Sequence, residues 1–464
     1  MQDNGAPTNV TALEAFKPST IYRPEDFAPF IGPRGVEQLK QTARVVEGKG
    51  WTNVNSTLIG GGVAEILQSA VPLAMGLGID AHWYVIKGNE HFFQVTKKFH
   101  NMLQGIDLPI SLEEIFEAYL HTIDENAKNT FIASDLVVIH DPQPAAMVMN
   151  GLIFGNILWR CHIDTSDPNE IVWRFLLPYI NHCAGAVFTI PEFIGPGLQI
   201  PLYQIYPCIN PLAAKNMQHS RRDALEILRP LLNEHDVDPD RPVIAAVSRY
   251  DIHKNQATII RAFQAFKERS KPDPAPYLIF LGNTASDDPE GEAMLDQLRH
   301  LAGKDPDIRF WVNVADNDRV VGALMRLARA FVHISTREGF GLVVTEAMWQ
   351  GTPVIGSTAG GIAKQVLDGQ TGFLVDPLDE EAVVDKLHFL LTHPEESSRM
   401  GEQGREQVRT HFLLPELLRR YIILLQYFSG TLQQQPSFRL NDLSYSEVLS
   451  VMRPTPPFLH RGAG

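Results

Sequence analysis

The chain is 464 residues long, and 44% of its residues are hydrophobic, 9% aromatic and 20% charged. This composition excludes disordered and fibrous proteins, and the length favours two globular domains over one. The formal net charge of −14 argues against a general nucleic-acid-binding protein, because such proteins hold the phosphate backbone with clustered Lys and Arg.

The three cysteines Cys161, Cys183 and Cys208 include no CxxC pair, which favours a reducing compartment over a secreted scaffold. The N-terminus lacks the basic start and apolar run of a signal peptide, and no stretch comes close to the roughly 18 apolar residues of a membrane span. We therefore expect a cytoplasmic protein with no membrane association.

Short apolar runs alternate with helix-length segments from Val54 onward, which is typical of βα units around a parallel sheet. The predicted helices include Val63 to Leu77 and Phe92 to Leu103. The predicted strands are VNSTLIG (54–60), AHWYVIKG (81–88), DLVVIH (135–140), NILWRCHID (156–164) and GAVFTI (185–190). The runs at 135–140 and 185–190 are apolar on both faces, as buried parallel strands are.

A second βα series begins after the polar, proline-bearing stretch at 231–242. Its predicted helices include Gln256 to Glu268 and Glu380 to Leu391. Its predicted strands are VIAAVS (243–248), YLIFLG (277–282), IRFWV (308–312), AFVHIS (330–335), TPVIG (352–356) and GFLV (372–375). The chain thus divides into an N-terminal extension (1–50), a first α/β domain (51–225), a second (226–412), and a C-terminal helix that returns toward the first domain, followed by a tail (413–464).

The strongest chemical signal is REGFGLVVTEAMWQGTPVIG, at residues 337–356. Glu338 follows a predicted strand, at the end of the sheet where α/β proteins bind ligands, and Glu346 lies in the apolar helix that follows. A buried carboxylate needs hydrogen-bond donors, and sugar hydroxyls can supply two at once. Gly339 and Gly341 allow close backbone approach. The alternative is that Glu338 is a solvated loop residue and Glu346 a helix-end charge.

Two cations, Arg249 and Lys254, follow the first strand of the second domain, so we expect them at the same rim as Glu338. Fixed positive charges suit a diphosphate leaving group, whose negative charge grows as its bond to the sugar breaks. The alternative is that both are surface charges, as an arginine and a lysine in a loop more often are.

Three features of the first domain are weaker candidates. The loop IGGGVAE (59–65) contains Gly61 and Gly62 but is not a GxGxxG loop, so a tight turn is the alternative. His140 and His162 end two successive predicted strands and would point into a cleft, although packed histidines are common. Asp164 follows His162, and it could instead cap the helix that begins near Pro168.

Other catalytic signatures are missing from the sequence. It has no Walker loop, no HExxH motif and no Ser-His-Asp order. Asp316 and Asp318 spell DxD but read as a loop and a helix cap, so we assign no metal site.

The combination of Arg249, Lys254, Glu338, the GFG turn and Glu346 resembles the donor site of retaining glycosyltransferases of family GT4. Within that family, the segments IGGGVAE, HDPQPA (140–145) and WRCHIDTSDPN (159–169) look like those of the trehalose glycosyltransferring synthases. The resemblance implies a GT-B fold of two Rossmann-like, doubly wound parallel-sheet α/β domains that face each other across a cleft.

The resemblance also implies roles for individual residues. Glu338, Arg249, Lys254 and His140 would be catalytic, with the two cations on the diphosphate and His140 near the donor glucose. The donor would be bound by Gly339, Phe340, Gly341, Leu342, Val343 and Glu346, the last of these on the ribose. The acceptor would be bound by Gly61, Gly62, His162 and Asp164. The sequence departs from the commoner family pattern at Lys364 and Gln365, where many relatives have an acidic residue.

The implied reaction joins glucose from ADP-, UDP- or GDP-glucose to free glucose, giving trehalose reversibly and with retention of configuration. No cofactor is expected to be tightly bound, and Mg²⁺ could assist but receives no site. The partners are these small molecules, with neither nucleic acid nor membrane, and a homo-oligomer remains open. Three alternatives share the architecture or site: a trehalose phosphorylase, a nucleotide-sugar epimerase, and a noncatalytic sugar or nucleotide sensor.

Overall fold

The computed structural model describes residues 13–128, 130–150, 152–284 and 289–437, which form two compact units. The first unit extends to Tyr206 and resumes at Pro415, and the second is Pro207–Leu414. The part of the predicted tail from residue 438 onward lies outside the described residues.

The first unit is built on a sheet that has seven strands among the described residues, in the order β1-β3-β2-β4-β5-β6-β7. All neighbouring strands are parallel except β1, which is antiparallel to β3. The strands are β1 (Glu14–Ala15), β2 (Gly50–Asn55), β3 (Asp80–Val85), β4 (Phe131–His140), β5 (Leu152–Arg160), β6 (Gly185–Phe188) and β7 (Leu202–Gln204).

Helices accompany this sheet throughout the unit. They are α1 (Ala28–Arg44), α2 (Gly62–Gly76), α3 (Glu90–Leu103), α4 (His121–Ala127), α5 (Met147–Asn150) and α6 (Glu170–Asn181), with a π-helix at Glu114–Leu120 and 3-10 turns at Pro24–Phe27 and Pro191–Phe193. Because β1 pairs with β3, the described part of the expected N-terminal extension is integrated into this unit.

The second unit carries a parallel sheet of six strands in its described part, in the order β10-β9-β8-β11-β12-β13. The strands are β8 (Val243–Val247), β9 (Tyr277–Gly282), β10 (Ile308–Val312), β11 (Ala330–His333), β12 (Val354–Ser357) and β13 (Gly372–Val375). The helices are α7 (Arg221–Glu234), α8 (Gln256–Ser270), α9 (Pro289–Ala302), α10 (Asn317–Leu327), α11 (Leu342–Trp349), α12 (Ile362–Gln365), α13 (Glu380–Thr392) and α14 (Pro394–His411), with 3-10 turns at Ala214–Asn216 and Ile252–Lys254. This unit begins well before residue 226, because α7 packs against α10.

A last helix, α15 (Leu414–Phe428), belongs to the first unit from Pro415 onward. The ring of Tyr421 lies 5.3 Å from that of Trp51, and the side chain of Gln426 donates to the carbonyl of Thr42 over 2.8 Å. Helix α15 therefore closes the core beside the first parallel strand of the unit.

The predicted strand at 54–60 is wrong in its bounds, because β2 ends at Asn55 and residues 56–61 form a loop. The true strand includes the polar residues Thr52, Asn53 and Asn55, all buried, which hide it from an apolar pattern. Their polarity is accommodated by hydrogen bonds, for example from Trp83 Nε1 to Asn55 Oδ1 over 2.8 Å.

Candidate active site

The strand order of the second unit places two loops side by side at the carboxyl end of its sheet. The chain moves outward from β8 to β9 and β10 and then returns to β11, on the other side of β8. This is a topological switch point, where doubly wound sheets bind ligands. Lys254 follows β8 and Glu338 follows β11, so the switch point brings together residues that are 84 positions apart.

Glu338 is held by three donors through one carboxylate oxygen. Its Oε2 accepts from Lys254 Nζ at 2.7 Å, from His333 Nε2 at 2.8 Å and from Ser335 Oγ at 3.3 Å. Burial raises the pKa of Glu338, but the hydrogen bond from His333 and the charge of Lys254 outweigh it and bring the pKa below its ordinary range. Glu338 is therefore an ionised acceptor, and its Oε1 makes no hydrogen bond to any residue in the described part of the chain.

Arg249 lies on the same loop as Lys254 but has a different environment. Its side chain is exposed and forms no ion pair or hydrogen bond with the residues that the structure describes, while its carbonyl accepts from Gln256 Nε2 at 2.8 Å. The loop thus offers one cation paired with a carboxylate and one that is available to an anionic ligand.

Glu346 is buried in α11 and pairs with Lys215, whose Nζ lies 2.7 Å from its Oε1. The glutamate side chain is 5% exposed and the lysine 16%. Two hydrogen bonds fix the segment that carries the lysine to the end of α11: Trp349 Nε1 donates to Asn216 O at 2.8 Å, and Gln350 Nε2 to Met217 O at 3.0 Å. The carboxyl group of Glu346 is therefore buried, as expected, and lies beside a specific cation.

The turn between the two glutamates leads directly into α11. Gly341 is the N-cap residue of the helix and has a φ of 80°, a conformation that favours glycine. Because glycine has no side chain, it makes no capping hydrogen bond to the first N–H groups of the helix. The first turn of α11 contains the β-branched residues Val343, Val344 and Thr345, whose helix propensity is low, so the helix is stabilised mainly by burial.

In the first unit, His140 and His162 form a hydrogen-bonded pair. His140 Nδ1 lies 3.0 Å from His162 Nε2, and His140 Nε2 lies 3.0 Å from Asn53 Oδ1. Because the amide oxygen only accepts, His140 carries its proton on Nε2, and its Nδ1 accepts from His162. Both ring nitrogens of His140 are thus engaged by protein groups.

A buried arginine lies close to these two histidines. Arg160 is 1% exposed and donates to Ile205 O at 2.8 Å and Thr189 Oγ1 at 3.4 Å, and its Nε and Nη1 have no partner in the described part of the chain. Burial, assisted by the Arg160 charge, lowers the pKa of His140 to about 3 and that of His162 well below its ordinary range. Both histidines are therefore neutral near pH 7.

A small cavity of about 10 Å³ adjoins these side chains, lined by Trp51, His140, Arg160, His162, Tyr421 and apolar residues of α2 and α15. Asp141 adds a carboxyl group: its Oδ1 accepts from the His162 N–H at 2.9 Å, and burial raises its pKa to about 6. The carboxyl ends of β2, β4 and β5 thus carry a compact polar cluster.

The remaining candidates of this unit lie around that cluster. Gly61 is exposed with a φ of 80°, caps α2, and has open space where a side chain would be. Gly62 begins α2 and is also exposed. Asp164 accepts from the Ser166 N–H at 2.9 Å rather than capping the next helix, which Asn169 does.

The described residues contain neither a candidate metal cluster nor a candidate membrane-spanning helix. In this part of the chain, no group of three or more His, Cys, Asp or Glu side chains could hold a metal ion. The DxD residue Asp316 occupies the N-cap position of α10 and pairs with Arg319 at 3.2 Å. No helix of the same part is sufficiently long and apolar to cross a membrane.

Comparison with known proteins identifies both units. Residues 53–195 match the family model "Trehalose synthase, N-terminal domain", and residues 230–407 match "Glycosyl transferases group 1". A trehalose synthase of Pyrococcus horikoshii is 41% identical over 409 residues, which are 88% of this chain and 96% of that protein. The chain belongs to the trehalose synthase family. It is accordingly a glycosyltransferase.

Further relatives are more similar to this chain when they are trehalose synthases than when they are trehalose phosphorylases. A trehalose synthase of Rubrobacter xylanophilus is 40% identical over 401 residues, covering 85% of this chain and 94% of that protein. A trehalose phosphorylase of Grifola frondosa is more distant, at 28% identity over 460 residues that cover 88% of this chain and 61% of that protein. The predicted resemblance to the trehalose synthases is therefore confirmed.

Solved structures support the fold. A UDP-forming α,α-trehalose-phosphate synthase from Burkholderia xenovorans matches with a TM-score of 0.66 at 14% identity, covering 82% of this chain and 99% of that one. A sucrose-phosphate synthase from Thermosynechococcus elongatus matches with a TM-score of 0.63 at 17% identity, covering 82% of this chain and 100% of that one. The predicted GT-B class, with two Rossmann-like parallel-sheet domains, is confirmed.

The structure of this family member also shows contacts of the predicted site residues that sequence reasoning missed. They are the partners of the predicted residues: Lys215, His333, Ser335, Asn53 and Asp141. His333 and Ser335 could have been found, because they end the strand that leads to Glu338. Lys215 and Asn53 carried no local signal, because each meets its partner only through the fold.

Proposed function

We propose that this enzyme is a retaining glucosyltransferase that joins glucose from ADP-, UDP- or GDP-glucose to free glucose and forms trehalose reversibly. The observation that carries the proposal is the Lys254–Glu338 pair at the switch point, with Arg249 exposed on the same loop. A carboxylate for hydroxyl groups and cations for a diphosphate are the two halves of a nucleotide-sugar site.

Each residue has a role in this scheme that follows from its environment. The three donors on Oε2 fix the Glu338 carboxylate, and Oε1 accepts from glucose hydroxyls. Arg249 and Lys254 stabilise the charge that grows on the diphosphate as the bond to the sugar breaks. Since Glu338 is ionised, it binds the sugar and does not protonate the leaving group.

The remaining donor and acceptor assignments follow the family resemblance. Glu346 accepts from the ribose hydroxyls, and the backbone from Gly339 to Val343 binds the donor. His162, Asp164, Gly61 and Gly62 bind the acceptor glucose, while His140 supports the donor glucose. The proton of the attacking hydroxyl passes to the departing phosphate oxygen, because burial lowers the pKa of both histidines and makes them weak bases. The three free, buried cysteines fit enzyme action in the reducing cytoplasm.

The test is to incubate the purified protein with glucose and each of the three nucleotide-glucoses, and to identify the product by NMR. We expect a nonreducing α,α-linked disaccharide. The reverse reaction is run with trehalose and either nucleoside diphosphate or inorganic phosphate. Cleavage supported by phosphate alone, or conversion of the donor sugar without an acceptor, would refute the proposal in favour of a phosphorylase or an epimerase.

Variants separate catalysis from binding. Glu338→Gln should abolish turnover while nucleoside diphosphate still binds, and retained turnover would contradict the assigned role. Arg249→Gln should weaken diphosphate binding. Arg222→Gln is the matched control, because this arginine on α7 is also exposed, at 87% of its side chain, and should leave activity unchanged.

A further inference from the structure

Gln365, the last residue of α12, is completely buried and binds the turn that precedes α11. Its Nε2 donates to the carbonyl oxygen of Phe340 and lies 3.4 Å from that of Gly341. Its Oε1 accepts from Thr345 Oγ1 at 2.5 Å. One side chain thus connects the turn, the first residues of α11 and the start of α12, where the carbonyl of the N-cap residue Gly361 lies 3.3 Å from the same nitrogen.

These contacts fix the orientation of two peptide groups. A trans peptide is planar, and its C=O and N–H point in opposite directions. Because the carbonyls of Phe340 and Gly341 face Gln365, the N–H groups of Gly341 and Leu342 face away from it. Neither N–H has a hydrogen-bond partner in the described part of the chain, and Gly341 and Leu342 are only half-buried.

The hydroxyl of Thr345 sets which end of the amide faces the turn. It donates to Oε1, so the nitrogen must face the carbonyls. A glutamate at this position would turn a carboxylate oxygen toward two carbonyl oxygens and repel them. The surroundings of position 365 in this chain therefore favour an amide over a carboxylate of the same size.

We infer that Gln365 is a positioning residue, which aims the Gly341 and Leu342 N–H groups at the diphosphate of the nucleotide sugar. The inference rests on the proposed function, since it needs a diphosphate at the start of α11. Free N–H groups at a helix start bind anions, and their direction decides how well they do so. Gln365 does not touch the ligand and acts through the turn.

The test compares Gln365→Glu with Gln426→Glu. Gln426 is the matched control, because it is 1% exposed and donates to the Thr42 carbonyl at 2.8 Å, in the first unit. For Gln365→Glu we expect the dissociation constant of the nucleoside diphosphate, measured by calorimetry, and the KM for nucleotide-glucose to rise about tenfold. The KM for glucose should stay unchanged, and Gln426→Glu should alter neither constant.

A pH profile distinguishes positioning from a general loss of structure. Once protonated, the new carboxyl can donate to Phe340 O, so the ratio of variant to parent activity should rise as the pH falls from 8 to 5.5. Thr345→Val, which leaves the amide in place, should have a smaller effect on the donor constants than Gln365→Glu.

Two results would overturn the inference. One is unchanged diphosphate affinity in Gln365→Glu while the parent binds the nucleotide, which would leave the proposed function intact. The other is a parent protein that binds none of the three nucleoside diphosphates, which would refute both proposals.

Discussion

Removing Lys215 should destabilise the second unit because it leaves the Glu346 carboxylate buried without its cation. The two charged atoms are 2.7 Å apart, and the side chains are 5% and 16% exposed. Loss of one partner of such a pair costs about 3–5 kcal/mol, and the partial exposure of Lys215 favours the lower end. For a unit of this size, about 3 kcal/mol lowers the unfolding midpoint by about 6–12 °C.

The assay is urea and thermal unfolding of Lys215→Met, Glu346→Gln and the double variant. Replacing both partners removes the stranded charge, so the double variant should be within about 1 kcal/mol of the parent. The losses of unfolding free energy in the two single variants, added together, should therefore far exceed the loss in the double variant. Two results would refute the assignment of a coupled buried pair. One is a loss of unfolding free energy below about 1 kcal/mol for Lys215→Met, and the other is a loss in the double variant that equals the sum of the losses in the single variants.

Three further changes test the two sites. Lys254→Met should raise the pKa of Glu338 and lower kcat/KM for the donor by about 100-fold, since a preorganised charge is lost; a fall below threefold in steady-state kinetics would contradict this. The free energy of unfolding should fall as the pH falls from 6.5 toward 3, because His140 becomes protonated in the unfolded chain while the folded protein holds its pKa near 3. The loss is at most about 5 kcal/mol. Urea unfolding at pH 7 and pH 4 should show less acid sensitivity in His140→Asn than in the parent. His162→Gln should melt higher than His162→Asn, because the glutamine nitrogen can replace Nε2 as donor to His140; equal melting temperatures would count against that hydrogen bond.

The strands of the second unit were largely predictable from the sequence. The predicted bounds of β9, β10 and β13 coincide with the structure. Strand β9 is buried at every position, and a strand buried on both faces reads as an uninterrupted apolar run. Strand β2 was misplaced for the opposite reason. Its buried Thr52, Asn53 and Asn55 are polar and are accommodated by partners on other strands.

The candidate site likewise has local features that the sequence predicts and contacts with distant residues that the fold specifies. The sequence alone determined that Glu338 and Glu346 flank a glycine turn at the end of a strand, because a strand, a turn and a helix are local structures. The sequence also predicted Lys254 near Glu338, because each follows a strand of the same sheet. The cation beside Glu346 was decided by the tertiary structure, since Lys215 and Glu346 belong to separate elements and meet through packing around Trp349. The hydrogen bonds of His140 and Gln365 have the same origin, because a bond across 87 residues, or from α12 to the turn before α11, is specified by the fold as a whole.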